Sequence, residues 1–329
     1  MDNKGKNILT YGFWFMVAAV LLYFCLQAVD WKEFGAALKQ CQWEYVLLAM
    51  LLGALALFLR GARWQMLLKP IDPSTKVVTC FNAYNICTAS NLVLPRLGEV
   101  IRLGYVVKHS ATGEDGKRMV GFDKVLGTAV VERTWDAASV LLLTALLLVL
   151  KWEDFGPFLM GSVEGGRWWI LPAVALLALA LLLAAWLLRS TGPGQKVWGF
   201  VRGIGNGLVS FAHMRRPWLF LLYTAVIWAL HWLTSASIIW ALQGIEAFAS
   251  LSLTDAFFLM IVGSLSSIIP VPGGFGAYHG IVTAALSTVL GIPVGLGMVY
   301  ATLNHESQVL MQAIMGIGSY IHESFIRKS

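Results

Sequence analysis

The residues best suited to chemistry lie between Ser90 and Arg102, in the segment Ser-Asn-Leu-Val-Leu-Pro-Arg-Leu-Gly-Glu-Val-Ile-Arg. Pro95 lacks an N–H and disfavours helical backbone in the residue before it, so it breaks an apolar run. Arg96 and Arg102 carry guanidinium groups, whose planar fork suits phosphate oxygens and stays charged at any relevant pH. Glu99 can pair with one arginine or bind a cationic headgroup. The segment therefore predicts a helix break that presents charge to a polar ligand.

A second charged group, Glu132, Arg133 and Asp136, lies inside another apolar run. Glu132 and Asp136 are four residues apart and share a helix face. A charge at mid-bilayer costs roughly 2.5–3.5 kcal/mol, so these side chains are expected to face protein or water. Two alternatives to a ligand site stay open: an ion pair that holds the first segment in place, or a position just below the membrane interface.

A third group combines a glycine-rich break with a polar pair. Gly273, Gly274 and Gly276 follow two prolines, allow close backbone approach and leave N–H groups for an anion, although such a turn is often only a turn. His305 and Glu306 are candidates for carrying a proton, and the alternative is a contact between helices.

Asn91 is a further candidate for the same cavity, with interhelical hydrogen bonding as the alternative. We predict no catalytic residue, cofactor or metal ligand. The cysteines form no CxxC motif, and the histidines outside the pair at 305–306 show no ligand spacing: Cys25, Cys41, Cys80 and Cys87, and His109, His213, His231, His279 and His322.

Composition indicates the compartment in which these groups must work. Of 329 residues, 58% are hydrophobic and 13% charged, against about 25% charged in soluble domains. We therefore expect a single polytopic membrane domain over residues 1–329. The net charge of +6 is attributed to positively charged inner loops and not to nucleic-acid binding.

Apolar runs predict an all-α protein with six full spans and two broken helical hairpins that re-enter the membrane. Residues 189–216 are basic and predict a cytoplasmic amphipathic linker. Most of the 24 lysine and arginine residues then lie inside, with both termini cytoplasmic; hairpins that cross fully fit the charges equally well. The predicted spans are 8–29, 43–68, 125–150, 168–188, 217–243 and 294–321, and the broken pairs are 77–95 with 100–107 and 252–270 with 274–291. A short loop that contains Asp30, Lys32, Glu33 and Lys39 is predicted after the first span.

The order of these elements is the same in two halves, 1–150 and 168–329, which would enter the membrane from opposite sides. This order predicts an inverted repeat, and broken helices at corresponding positions of such repeats indicate a substrate site near the midplane.

The motifs Pro95–Glu99 with Arg102, Glu132-Arg133 with Asp136, and Pro272–Gly276 resemble the transmembrane region of lysylphosphatidylglycerol synthases. The resemblance covers nearly the whole chain, and the motifs occur in the expected order. It implies translocation of a lipid between leaflets. In the two-domain synthases that lipid is an aminoacylated phosphatidylglycerol. Aminoacylation itself is not expected, because no soluble transfer domain follows. Ala277-Tyr278-His279 stands where many members have an arginine–glutamate pair.

We therefore expect a flippase-like translocase of the cytoplasmic (inner) membrane, not an enzyme. Its partners would be the bilayer and a phospholipid or lipid-linked molecule with a polar, phosphate-containing headgroup. Two alternatives stay open: an integral-membrane enzyme acting on a lipid headgroup, and a secondary transporter of small solutes or ions. Headgroup, coupling ion, direction of transport and oligomeric state are not predicted.

Overall fold

The computed structural model describes residues 31–94, 96–112, 118, 120–151, 216–269 and 271–326, with isolated positions at 16, 19, 20, 23 and 27. Within these ranges the chain is helical, apart from turns and one isolated β-bridge between Thr112 and Arg118. The predicted spans 8–29 and 168–188 and the linker 189–216 lie outside the described residues, except for isolated positions. The all-α prediction is confirmed for the described part of the chain.

The helices are numbered in chain order. They are α1 Trp31–Gln40, α2 Trp43–Leu68, α3 Val77–Val93, α4 Leu97–His109, α5 Phe122–Leu150, α6 Pro217–Ala241, α7 Glu246–Ala249, α8 Leu253–Ser266, a 3₁₀ turn Pro272–Gly274, α9 Ala277–Leu290 and α10 Val294–Ile326.

Three of the described helices, α2, α5 and α6, are long and apolar enough to cross a bilayer. Their bounds match the predicted runs 43–68, 125–150 and 217–243 to within three residues. The protein is therefore a helical membrane protein. Six spans, re-entrant hairpins and an inverted repeat stay predictions.

One local prediction is wrong. The segment after residue 30 is predicted to be a short loop, but Trp31–Gln40 forms helix α1. Its apolar residues Trp31, Phe34 and Leu38 recur at helical spacing, and Ala37 is buried. The periodicity, not the charge content, determines the structure here.

The chain divides into two compact units. The first comprises residues 1–126 and 218–329, and the second comprises residues 127–217. In the second unit the structure describes α5 from Gly127 onward, together with Lys151, Arg216 and Pro217. Helices α1 to α4 and α7 to α10 belong to the first unit.

Helix α10 is the central element of the first unit, since it packs against α1, α2, α3 and α9. Polar side chains join it to α3: Asn85 Nδ2 donates to Ser319 Oγ at 2.9 Å, and Ser319 Oγ donates to Asn82 Oδ1 at 3.0 Å. Gly316 allows this approach, because an added Cβ would overlap the Ala89 side chain. Hydrogen bonds between apolar helices contribute about 0.6–2 kcal/mol each in membranes. They fix the register of α3 against α10.

Candidate functional site

The first helix break lies where the proline predicts it. Helix α3 ends at Val93, and α4 begins at Leu97 after a single turn. Arg96 connects them with φ of 65°, the one positive φ of a non-glycine residue in the described chain. A left-handed conformation costs an L-residue about 1–2 kcal/mol. Such an outlier is a reason to look for function at Arg96.

The break is closed by a side chain. Asn91 Oδ1 accepts a hydrogen bond from the backbone N–H of Gly98 at 2.8 Å, which satisfies one of the free donors at the start of α4. Gly98 itself lies so close to α3 that a Cβ would overlap the carbonyl oxygen of Cys87. The structure thus gives Asn91 a contact between helices, while the same residue also lines the cavity described below.

The second break is a glycine turn between α8 and α9. Gly273, Gly274 and Gly276 have φ of 57°, 80° and 77°, values that favour glycine over other residues. The 3₁₀ turn that contains the first two packs against α3. The two breaks therefore lie side by side.

A cavity of about 350 Å³ opens between the two breaks. Volumes of this size hold small ligands or headgroups. Its described wall comprises Thr88, Asn91, Leu92, Arg96, Gly263, Ser266, Ser267, Ile269, Val271, Gly273, Gly274, Tyr278, His305 and Gln312. Five predicted site residues thus meet at one cavity: Asn91, Arg96, Gly273, Gly274 and His305.

Among the described residues that line this cavity, Arg96 is the one with a permanent charge. Its side chain is exposed. Thr88, Ser266 and Gln312 line the same cavity, and the Thr88 and Ser266 hydroxyls donate to the carbonyl oxygens of Asn85 and Gly263. A fixed cation in the wall of a cavity is suited to an anionic group.

Glu99 and Arg102 are placed differently from Arg96. Arg102 is fully buried, and its guanidinium lies 4.4 Å from the ring centre of Trp64 and 4.5 Å from that of Tyr84. Its Nη2 atom lies 3.0 Å from Glu99 Oε2. This geometry supports the ion-pair alternative for these two residues, since Arg102 holds α4 against aromatic rings of α2 and α3.

The charged group of α5, which comprises Glu132, Arg133 and Asp136, belongs to the second unit. Glu132 is fully buried, and Arg133 Nη1 lies 3.8 Å from Asp136 Oδ2. Glu132 therefore faces protein, as the cost of intramembrane charge predicts, whereas half of the Arg133 side chain is exposed.

His305 joins the second break to α10. Its Nε2 lies 2.9 Å from the carbonyl oxygen of Gly273, and its Nδ1 lies 3.0 Å from Glu306 Oε1. Glu306 Oε1 is also 3.4 Å from Nε2 of His279 in α9. Gly276, the remaining predicted glycine, precedes α9 at its N-cap.

A second cavity of about 430 Å³ is lined by residues of α1, α2 and α10. Glu306 is the one ionisable side chain among its described lining residues, and the rest of the wall is mostly apolar. These residues are Phe34, Leu38, Trp43, Val46, Leu47, Met50, Thr302, Leu303, Glu306, Ser307 and Leu310. Consecutive residues of α10, His305 and Glu306, thus border a polar and an apolar cavity.

Sequence reasoning missed three residues of this region. Gln312 lies two helical turns from His305 and so shares its face, a signal present in the sequence. Tyr278, an uncharged residue, lines the cavity and accepts a hydrogen bond from Asn304 at 2.7 Å. His279 is separated from His305 by a helix and a turn, so only the tertiary structure brings them together.

Comparison with known proteins gives one family. A search of curated proteins and a search of solved structures each returned no significant match. The profile described as "Lysylphosphatidylglycerol synthase TM region" matches residues 13–316. This match includes every residue of the cavity between the two breaks, and it confirms the resemblance seen in the motifs. The chain therefore belongs to the family of lysylphosphatidylglycerol synthase transmembrane regions.

Proposed function

We propose that this protein is a flippase-like translocase for a lipid or lipid-linked molecule with a polar, phosphate-containing headgroup. The observation that carries the proposal is the polar cavity between the two helix breaks, with Arg96 as its fixed cation. Translocation needs a polar path for the headgroup inside the membrane, and the polar groups that line this cavity are suited to such a path. The family adds a membrane-lipid context.

The neighbouring apolar cavity favours a lipid over a soluble solute. A phospholipid must keep its acyl chains in an apolar environment while its headgroup occupies a polar one. The polar and apolar cavities are bordered by adjacent residues, His305 and Glu306. In this proposal the headgroup contacts Arg96, and the chains lie along α1, α2 and α10.

Reconstitution tests the proposal. Purified full-length protein in liposomes should accelerate the exchange of a fluorescent phospholipid between leaflets, measured by chemical quenching of the outer-leaflet label. Lipids with anionic, zwitterionic and cationic headgroups should differ in rate, since one fixed cation favours anionic groups. Protein-free liposomes are the control. If no lipid class moves while a soluble anion such as inorganic phosphate is bound or transported, the proposal fails in favour of a solute transporter.

The same assay distinguishes an enzyme from a translocase. After incubation, the lipids are extracted and analysed by mass spectrometry. A translocase leaves headgroup mass unchanged, whereas an enzyme acting on the headgroup changes it. A changed headgroup with no leaflet exchange would support the enzyme alternative.

We also propose that the protein lies in the cytoplasmic membrane with both termini inside. Single cysteines at Gly113, Met160 and Ala247, in a chain whose native cysteines are replaced, test this topology. A membrane-impermeant thiol reagent added from outside should label positions 160 and 247 but not 113. Labelling of position 160 from the inside alone would contradict the inverted repeat.

A further inference from the structure

Three donor atoms converge beside the polar cavity. One ligand atom each from His279, His305 and Glu306 lies within 4.8 Å of the other two. Nε2 of His279 and Nδ1 of His305 are 3.4 and 3.0 Å from Glu306 Oε1. Around zinc, bonds of about 2.0–2.2 Å in a tetrahedron place neighbouring donors about 3.3 Å apart. The cluster therefore has the spacing of a three-ligand metal site.

The hydrogen bonding of His305 supports an ion at this point. Its Nε2 faces the carbonyl oxygen of Gly273, and its Nδ1 faces the carboxylate of Glu306. Both partners are acceptors, but a neutral imidazole has only one N–H. If the proton lies on Nε2, the lone pair of Nδ1 faces a carboxylate oxygen, an arrangement that a cation between them would stabilise. Metal-binding histidines usually donate their second nitrogen to a carbonyl or carboxylate, as His305 does to Gly273.

His279 supplies the third donor from a buried position. Only 4% of its side chain is exposed. Its Nδ1 has no hydrogen-bond partner among the described residues, so Nε2 is the nitrogen through which it interacts. Glu306 provides access, because 40% of its side chain is exposed.

We propose that His279, His305 and Glu306 bind one divalent transition-metal ion of the zinc class. Imidazole with carboxylate suits Zn²⁺ and its neighbours in the first transition row, and not Mg²⁺, which prefers oxygen ligands. Three protein ligands leave one tetrahedral position for water or for a group from the polar cavity, which His305 lines. This test is independent of lipid translocation, because Zn²⁺ binding is measured in detergent without a lipid substrate.

Metal titration tests this site. Full-length protein is purified in detergent, treated with EDTA and desalted, and Zn²⁺ binding is followed by calorimetry. We expect one Zn²⁺ per chain, bound in the presence of excess Mg²⁺. Co²⁺ should bind at the same stoichiometry and give the visible absorption bands of a tetrahedral site.

Three variants and one control locate the ion. His279→Ala, His305→Ala and Glu306→Gln should each weaken Zn²⁺ binding at least about 10-fold, since changes even to supporting groups of metal sites cost 10–100-fold. His322→Ala is the control, because its ring contacts Asn82 and not the cluster. Size-exclusion elution checks that each variant is folded.

Two results would overturn the proposal. One is wild-type protein that binds no Zn²⁺ or Co²⁺, a result that does not depend on the folding of any variant. The other is Zn²⁺ binding that His279→Ala and Glu306→Gln leave unchanged.

Discussion

Replacing Arg96 with alanine is expected to lower the rate of leaflet exchange of an anionic lipid about 10–100-fold. A hydrogen bond to a charged group contributes about 1.5–3 kcal/mol, and each 1.4 kcal/mol corresponds to a factor of ten. Arg96 is the permanently charged residue among the described residues that line the polar cavity. The measurement is the initial rate of leaflet exchange in proteoliposomes, normalised to reconstituted protein.

Two further substitutions separate the charge of Arg96 from its backbone conformation. Arg96→Gly also removes the guanidinium, but glycine suits the φ of 65°. The Arg96→Gly and Arg96→Ala variants should therefore exchange lipid at the same rate, while the free energy of unfolding of Arg96→Gly should be higher by about 1 kcal/mol. Arg96→Lys keeps the charge without the planar fork and should retain intermediate activity.

Lys76→Ala is the matched control for Arg96. Lys76 is an exposed cation at the opposite end of α3, where it is the N-cap residue. We expect its removal to leave the rate near that of the wild type. Full activity of Arg96→Ala, or an equal loss in Lys76→Ala, would exclude a headgroup contact at Arg96.

Gly98→Ala is expected to destabilise the protein by about 1–3 kcal/mol or more. An added Cβ would overlap the carbonyl group of Cys87 and approach Asn91 Oδ1. Because the main obstacle is backbone, the overlap is relieved only by moving α3 away from α4. Overpacking in cores typically costs 1–3 kcal/mol. The measurement is the thermal unfolding midpoint in detergent.

Gly104→Ala is the control in the same helix. A Cβ at position 104 meets no other atom within 4 Å, and alanine is about 0.5–1 kcal/mol more favourable than glycine inside a helix. Gly104→Ala should therefore raise the unfolding midpoint slightly while Gly98→Ala lowers it. Equal midpoints for the two variants would mean that α3 and α4 are less closely packed than the structure indicates.

The sequence predicted the helix breaks because their causes are local. Proline removes a hydrogen-bond donor and glycine permits positive φ. The break between α3 and α4 and the break between α8 and α9 therefore follow from residue type. The long apolar helices follow from composition in the same way. Helix α1 is too short to span a membrane, so the search for long apolar runs does not find it.

The partners within the site depend on tertiary packing, and the sequence could not supply them. Asn91 and Gly98 are seven residues apart, yet they bond across the first break. Arg102 was a candidate for phosphate binding by charge alone, but the rings of Trp64 and Tyr84 enclose it. The position of His279 beside Glu306 depends on how α9 packs against α10, which no local pattern encodes.

The close fit at Gly98 has a consequence for motion. Asn91 bridges the break, and Gly98 lies against Cys87. Helices α3 and α4 are therefore expected to move together as one rigid body, without a change in the angle between them at Arg96. One hinge would then lie in the segment 69–76, between α2 and α3, where the chain leaves regular helix. Hinge residues at the ends of elements absorb large backbone changes in proteins that alternate between states.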